Sequence, residues 1–243
     1  MMAVVDELRT LGRASGGRGE TLLRERRRAD GTVVHELVVN GVFAMDSTET
    51  TSERELAGFA RAARGAVLVG GLGLGYTAAA VLDRQPGPER VDVVELDPHL
   101  VGWARQEVTP LLGRVARDPR TRLHVGDVAA ALTGHGPAAG PWDAVLLDVD
   151  NGPDFLIHSG NAGLYEDATL AAAQAALTPG GVLALWCQGP APELLARLHR
   201  LDGTAREHRC AVEREGRRFS YVVLTLTRPP VAAPGPGGGG AAR

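Results

Sequence analysis

The pattern of apolar and polar residues changes character along the chain and separates it into zones. In residues 1–64, β-prone runs flank the pair Asp30-Gly31, which is a strong signal for a hairpin turn. A helix is then predicted from Ser52 to Ala63, because apolar side chains recur at helical spacing and Ser52 with Glu55 matches a capping box. This zone therefore predicts a short N-terminal β-hairpin region and a first helix.

Residues 65–230 alternate short apolar runs with helical segments, which is typical of a parallel sheet covered by helices on both faces. The last two runs follow each other across a turn and should pair antiparallel. We therefore expect an α/β fold with a Rossmann-like doubly wound sheet. The predicted strands are Ala66–Val69, Arg90–Leu96, Thr121–Val125, Trp142–Val149, Val182–Trp186, Arg206–Glu213 and Arg218–Thr227, and a long helix is predicted over Leu164–Leu177.

The composition, with 44% hydrophobic and 23% charged residues, is that of an ordinary globular protein. A net charge of −3 gives no electrostatic reason to expect nucleic acid or a membrane as a partner. Cys187 and Cys210 alone make neither a disulfide framework nor a zinc cluster. Because no secretory leader and no membrane-spanning run is visible, a cytoplasmic protein is expected. Residues 231–243 are rich in Pro, Gly and Ala and predict a disordered tail.

A glycine-rich loop, Gly70 to Gly75, joins the first strand of the sheet to a helix. Glycine lets the backbone turn sharply and approach a ligand closely. Glu95 ends the next strand, about 20 residues on, where a carboxylate accepts the ribose hydroxyls of a nucleoside. No arginine occurs from Gly70 to Thr77 to neutralise a phosphate, whereas a sulfonium nucleoside needs none. We therefore predict an S-adenosyl nucleotide site; the alternative is a Rossmann domain in which Glu95 has no ligand.

Asp127 and Val128 follow the third strand of the sheet. In nucleoside sites of this architecture, an acidic residue here bonds the adenine amine and its apolar neighbour packs against the ring. Asp127 could instead only cap the helix that follows. The residues predicted to contact the nucleotide are Gly70, Gly71, Leu72, Gly73, Gly75, Glu95, Leu96, Asp127, Val128 and Asp148.

Asp148 and Asp150 end the fourth strand, at the edge where doubly wound sheets hold their ligands. Asp148 is the candidate base for an attacking amine or hydroxyl, with Asp150 and Tyr165 as further catalytic candidates. Oxygen ligands from Asp148, Asp150 and Asn151 would suit Mg²⁺, but such near-adjacent residues rarely converge on one ion, so no metal is expected. Alternatively, these residues only form a turn. A turn explains Asn151 to Pro153 but does not explain a carboxylate at Asp148, at the end of an apolar strand.

Taken together, these residues resemble the spermidine synthase-like branch of the class I S-adenosylmethionine-dependent methyltransferase superfamily, over roughly Val39 to Thr227. The resemblance implies a seven-stranded sheet whose last strand is antiparallel. It also implies that Glu95 binds ribose, Asp127 binds adenine and Asp148 deprotonates the attacking amine. By the same analogy we expect a homodimer. The matching pieces are the Gly70–Gly75 loop, Val94–Asp97, Asp118–Arg120, Val125–Asp127, Asp143–Asp148 and Leu177–Gly181.

Three departures from the polyamine synthases of that branch change the expected reaction. Leu72 stands where they carry an aspartate in the glycine loop. The segment 51–53, Thr-Ser-Glu, replaces a Tyr-His-Glu triplet, and the segment from Asp148 to Pro153 replaces an Asp-Ser-Ser-Asp-Pro signature. These losses weaken a diamine site, since a doubly cationic diamine needs carboxylates at both ends. We therefore expect methyl transfer from S-adenosylmethionine to a small-molecule nucleophile. The alternatives are aminopropyl transfer from decarboxylated S-adenosylmethionine and a non-catalytic nucleoside-binding homologue.

Overall fold

Apolar strands with buried side chains form a central sheet, and a smaller sheet packs beside it. The computed structural model describes residues 6–17, 19–149, 159–214 and 216–231. The strands are β1 Glu7–Gly16, β2 Gly19–Arg27, β3 Val33–Val39, β4 Val42–Asp46, β5 Ala66–Gly70, β6 Arg90–Glu95, β7 Thr121–Val125, β8 Trp142–Leu147, β9 Leu177–Cys187, β10 Thr204–Arg214 and β11 Arg217–Thr227.

The helices connect most of these strands. They are α1 Thr51–Gly58, α2 Tyr76–Leu82, α3 Pro98–Arg105, α4 Pro110–Arg117, α5 Val128–Leu132, α6 Asp167–Ala175 and α7 Pro192–Leu198, with a 3₁₀ helix at Ser159–Tyr165. Every helix in the described ranges is too short or too polar to cross a bilayer.

The central sheet has seven strands in the order β10-β11-β9-β8-β5-β6-β7. Strand β11 runs antiparallel to both of its neighbours, while β9, β8, β5, β6 and β7 are parallel. Helices α1 to α4 bury side chains such as Leu56 and Leu112 on one face, and α5 to α7 bury Leu170 and Leu194 on the other. The predicted doubly wound seven-stranded sheet with an antiparallel last strand is confirmed. Its strand order reverses between β5 and β8, which is the point where such sheets bind ligands.

Strands β1 to β4 form a four-stranded antiparallel sheet, so the N-terminal β-region is larger than the short hairpin that we predict from sequence. The pattern misses β1 because a bulge between Thr10 and Gly12 interrupts its alternation and most of its side chains are exposed. This sheet packs against α3 through Gly12, which lies directly on the ring of Trp103. Thr21 adds a hydrogen bond of 2.5 Å from its hydroxyl to Asp97 Oδ2.

The predicted capping box at Ser52 is wrong. Helix α1 begins one residue earlier, with Thr50 as its N-cap and no side-chain cap bond. The hydroxyl of Ser52 faces inward and donates to Glu53 Oε2 at 2.7 Å. The regular helix ends at Gly58 rather than at Ala63, which is still buried.

The segment around residue 177 also differs from its prediction. Strand β9 begins at Leu177 rather than at Val182, because Leu177 already pairs with Trp142 ahead of a register shift in β8. Helix α6 is shorter than predicted, since the residues up to Tyr165 form the 3₁₀ helix. The predicted disordered tail, from residue 232 onward, lies outside the described residues.

We predict that Gly12→Ala lowers the free energy of unfolding by about 1–3 kcal/mol, as overpacking of a filled site does. A Cβ at this position would lie 2.5 Å from Cε2 of the Trp103 ring. Chemical denaturation of the two proteins measures the difference. The matched control is Gly102→Ala on α3, where a Cβ meets no atom within 4 Å. Equal stability of Gly12→Ala and the parent would contradict the packing of β1 on α3.

Candidate active site

Four neighbouring strands of the central sheet end level with one another, and the residues that directly follow these ends form one row across the sheet. Gly70 pairs with Val94 and with Leu147, and Leu147 pairs with Leu185. The residues that follow these four are Glu95, Gly71, Asp148 and Trp186. Neighbouring strands lie about 4.8 Å apart, so Asp148 lies roughly 10 Å from Glu95, across Gly71. The predicted ribose ligand and the predicted base therefore flank the glycine loop.

The glycine loop presents backbone rather than side chains to this row. Gly71 has φ of +88°, and a Cβ on it would lie 2.2 Å from the carbonyl oxygen of Asp148. Leu72 and Leu74 turn away from the row into the core and are 5% and 2% exposed. Gly75 is the N-cap of α2. The lack of side chains at the row leaves space there for a ligand.

Glu95 is buried, and its carboxylate accepts backbone N–H bonds on both oxygens. Leu72 donates to Oε2 at 2.7 Å and Asp97 donates to Oε1 at 2.8 Å, and Gly73 is a third backbone donor. Burial raises the pKa of Glu95, and these backbone bonds act in the opposite direction. Because each carboxylate oxygen has two lone pairs, the carboxylate can still accept a hydroxyl of a ribose.

The position of Asp127 is compatible with both roles predicted from the sequence, a cap on the following helix and a contact with adenine. Its side chain accepts from the backbone N–H of Ala129 at 2.8 Å and so caps α5. The same residue and the buried Val128 line a cavity beside the row. The cap is shown by the structure, and the contact with adenine stays a prediction.

Asp148 faces a second buried carboxylate, Glu53 of α1. Thr77 donates its hydroxyl to Asp148 Oδ2 at 2.5 Å, and Ser52 donates to Glu53. Burial raises the pKa of Asp148. Burial, and then repulsion from Asp148, raise the pKa of Glu53 to about 7. The sequence-predicted site does not include Glu53. Its position in the segment 51–53, which replaces the Tyr-His-Glu triplet, could have indicated it.

The cavity beside the row has a volume of about 350 Å³, which is in the range of ligand sites. Among the described residues that line it, none is Arg, Lys or His. Its acidic lining residues number seven: Asp46, Glu49, Glu53, Glu95, Asp97, Asp127 and Asp148. Of the sequence-predicted nucleotide contacts, the lining includes Gly71, Gly73, Glu95, Leu96, Asp127, Val128 and Asp148, whereas Gly70, Leu72 and Gly75 lie behind it.

Aromatic side chains form the wall next to Asp148. The rings of Trp186 and Tyr221 lie 4.8 Å apart and both line the cavity, together with Gln188. Sequence reasoning places Trp186 and Tyr221 in strands but does not assign them to the site, because the neighbours of β9 in the sheet are not readable from its own sequence.

The structure does not bring Tyr165, another of the catalytic candidates, into the cavity. Tyr165 is buried on the opposite face of the sheet, and its hydroxyl donates to the carbonyl of Val149 at 3.3 Å. Asp150 and Asn151 lie outside the described residues. No group of three His, Cys, Asp or Glu side chains in the described ranges is arranged to hold a metal ion. The roles of Tyr165 and Asp150 therefore stay predictions.

No protein-family model matches this sequence. A polyamine aminopropyltransferase of Nitrosomonas europaea is 35% identical over 153 residues, which are 60% of this chain and 43% of that protein. The chain thus spans less than half the length of the curated relatives that it matches.

Solved structures show the same architecture. Spermidine synthase from Thermotoga maritima superposes with a TM-score of 0.67 at 16% identity, covering 90% of this chain and 72% of that one. Human methyltransferase-like protein 13, solved in complex with SAH, gives a TM-score of 0.53 at 26% identity, covering 74% and 79%. The chain therefore has the class I methyltransferase fold, and 60% of its sequence is similar to a polyamine aminopropyltransferase.

We predict that Glu53→Gln stabilises the protein above pH 7 by up to about 3 kcal/mol. Ionising Glu53 at a pKa of about 7 instead of its ordinary 4.5 costs folding free energy, at about 1.4 kcal/mol for each tenfold change in proton affinity. Since this pKa is raised, the parent loses stability as the pH rises from about 4.5 to about 7, and the variant does not.

Urea denaturation at pH 5 and pH 8 measures this effect. The gain should be small at pH 5 and full at pH 8. The exposed Glu55→Gln on the same helix should change little at either pH. A gain that does not depend on pH would contradict the raised proton affinity of Glu53.

Proposed function

We propose that this protein transfers the aminopropyl group of decarboxylated S-adenosylmethionine to an amine. The observation that carries the proposal is the charge of the cavity, whose described lining has seven carboxylates and no cationic side chain. Decarboxylated S-adenosylmethionine carries a sulfonium and an ammonium group but no carboxylate. S-adenosylmethionine adds a carboxylate, which such a cavity repels.

The glycine loop supports the preference for a donor without a carboxylate, because three of its backbone N–H groups already bond to acceptors of the protein. Gly71 donates to the carbonyl of Val94 at 2.9 Å, and Gly75 donates to that of Leu72 at 2.7 Å. Leu72 donates to Glu95. These three donors are therefore engaged and do not offer a cradle for a ligand carboxylate or phosphate.

The relatives point in the same direction. The aligned part of the Nitrosomonas europaea protein includes a third or more identical residues, and that protein is a polyamine aminopropyltransferase. One of the three sequence-based objections rests on Leu72, yet the side chain of Leu72 lies in the core rather than in the cavity. The cavity has the carboxylates that a diamine needs, but Glu53 and Glu49 supply them in place of a loop aspartate.

The reaction is a displacement that depends on holding the acceptor in line with the breaking bond. The acceptor ammonium gives a proton to a carboxylate, with Asp148 as the candidate base. The freed lone pair attacks the aminopropyl carbon, and the C–S electron pair goes to sulfur, leaving a neutral thioether nucleoside. Glu95 would hold the ribose, and the glycine loop would let the sulfur lie close to Asp148.

Methyl transfer is the second candidate function. The observation that favours it is the likeness to human methyltransferase-like protein 13, which was solved in complex with SAH and is 26% identical. Both reactions use the same nucleoside pocket. They differ in whether the donor carries a carboxylate.

We predict that decarboxylated S-adenosylmethionine binds at least tenfold more tightly than S-adenosylmethionine, because its added carboxylate meets only acidic side chains. Isothermal titration at low ionic strength measures both affinities, and added salt should narrow the gap between them. Tighter binding of S-adenosylmethionine would instead favour methyl transfer. Binding of neither nucleotide would remove both functions.

We predict that Asp148→Asn lowers turnover at least a hundredfold, as loss of a general base does, while nucleotide affinity changes less than threefold. The amide oxygen can still accept from Thr77, so the fold should persist. Rates of thioether nucleoside formation and the affinity from titration give the two numbers. A parallel collapse of binding would show that Asp148 holds the nucleotide rather than the proton.

A further inference from the structure

The proposed reaction uses the buried carboxylate of Glu53 only to attract a cationic amine and gives it no part in proton transfer. We propose that Glu53 and Asp148 act as a pair that shares one proton in the ligand-free protein, releases it when a sulfonium nucleotide binds, and then takes up the proton of the acceptor ammonium. The inference rests on the proposed use of an S-adenosyl nucleotide. It adds Glu53 as a second residue that holds the transferred proton.

Geometry places both carboxylates at one cavity. Glu53 is 9% exposed, and both residues line the same cavity. Each has a hydroxyl donor, Ser52 for Glu53 and Thr77 for Asp148. A hydroxyl donor stabilises a carboxylate much less than a cation does. Two such groups close together cannot both ionise readily, so one proton stays on the pair.

The other groups near Glu53 do not supply the missing positive charge. Within the described structure, α1 and the loop before it contribute Glu49, which is acidic, and Arg54, which is exposed and donates its Nε to Thr50. Strand β4 contributes Asp46, α2 contributes the phenol of Tyr76, and β11 contributes Tyr221. The surroundings of the pair are therefore acidic or neutral, and a bound sulfonium is the cation that can ionise it.

The number of protons on the pair changes with each step of the reaction. Binding of the sulfonium lowers the proton affinity of the pair, and one proton leaves to solvent. The doubly ionised pair accepts a proton from the acceptor ammonium, which leaves a neutral amine. That amine forms the new C–N bond as the C–S bond breaks, which gives a neutral thioether and a dialkylammonium product that now carries the positive charge. When the dialkylammonium leaves, the pair keeps its proton and the cycle closes.

The test is calorimetric counting of protons released on binding, from titrations in buffers of different ionisation enthalpy. The probes are decarboxylated S-adenosylmethionine and S-adenosyl-3-thiopropylamine, the same molecule without the S-methyl group and its charge. S-adenosylmethionine and S-adenosylhomocysteine form the second pair. With a pKa of about 7 in the free protein, a sulfonium should release more than half a proton at pH 6.5 and almost none at pH 8.5. The thioethers should release little at either pH.

Two variants test whether the proton released on binding comes from the pair of Glu53 and Asp148. Glu53→Gln should abolish the release and move the acidic limb of the kcat profile to lower pH, because Asp148 then ionises beside a neutral amide. The exposed Glu55→Gln on the same helix should keep the full release. Equal release by sulfonium and thioether, or full release in Glu53→Gln, would overturn the inference even if aminopropyl transfer stands. Release with the S-adenosylmethionine pair alone would support it while contradicting the proposed donor, and failure of all four nucleotides to bind would overturn both.

Discussion

The contact between Gly71 and the backbone of Asp148 is the constraint on which the site depends. The two segments approach so closely that a Cβ on Gly71 would lie 2.2 Å from the Asp148 carbonyl oxygen. Asp148 N donates to Gly70 O at 2.9 Å, which extends the parallel ladder to the end of the strands. This approach keeps Glu95 and Asp148 in one row and leaves the space between them free of side chains. A side chain at residue 71 would both strain a φ of +88° and separate the two strands.

Electrostatics then decides what that space can hold. Burying carboxylates without counter-ions is unfavourable unless they are protonated or meet a cation from elsewhere. The protein stabilises Glu95 with backbone N–H bonds from neighbouring loops, whereas hydroxyl groups are the main donors to Glu53 and Asp148. Proteins keep such unpaired groups mainly at functional sites. A bound cationic ligand offsets the repulsion between these carboxylates in the folded protein.

Much of this architecture is readable from the sequence, and the parts that are not have physical reasons. Glu95 and Asp127 are found because Glu95 ends one strand and Asp127 follows the end of the next, and a parallel sheet gathers such strand ends at one edge. Glu53 meets Asp148 only through the packing of α1 across the sheet, which no local pattern encodes. Strand β1 is missed because its bulge breaks the alternation. The core position of the Leu72 side chain is missed for a similar reason, since loop geometry turns it there, and its effect on the ligand stays a prediction.

The central claim is that the acidic cavity receives a cationic nucleotide and transfers its aminopropyl group. Product identification tests this most directly. The protein is incubated with a mixture of short amines and both decarboxylated S-adenosylmethionine and S-adenosylmethionine, and the nucleosides formed are identified by mass spectrometry. We expect 5′-methylthioadenosine together with an acceptor heavier by one aminopropyl group. S-adenosylhomocysteine with a methylated acceptor would contradict the account, as would recovery of both nucleotides unchanged.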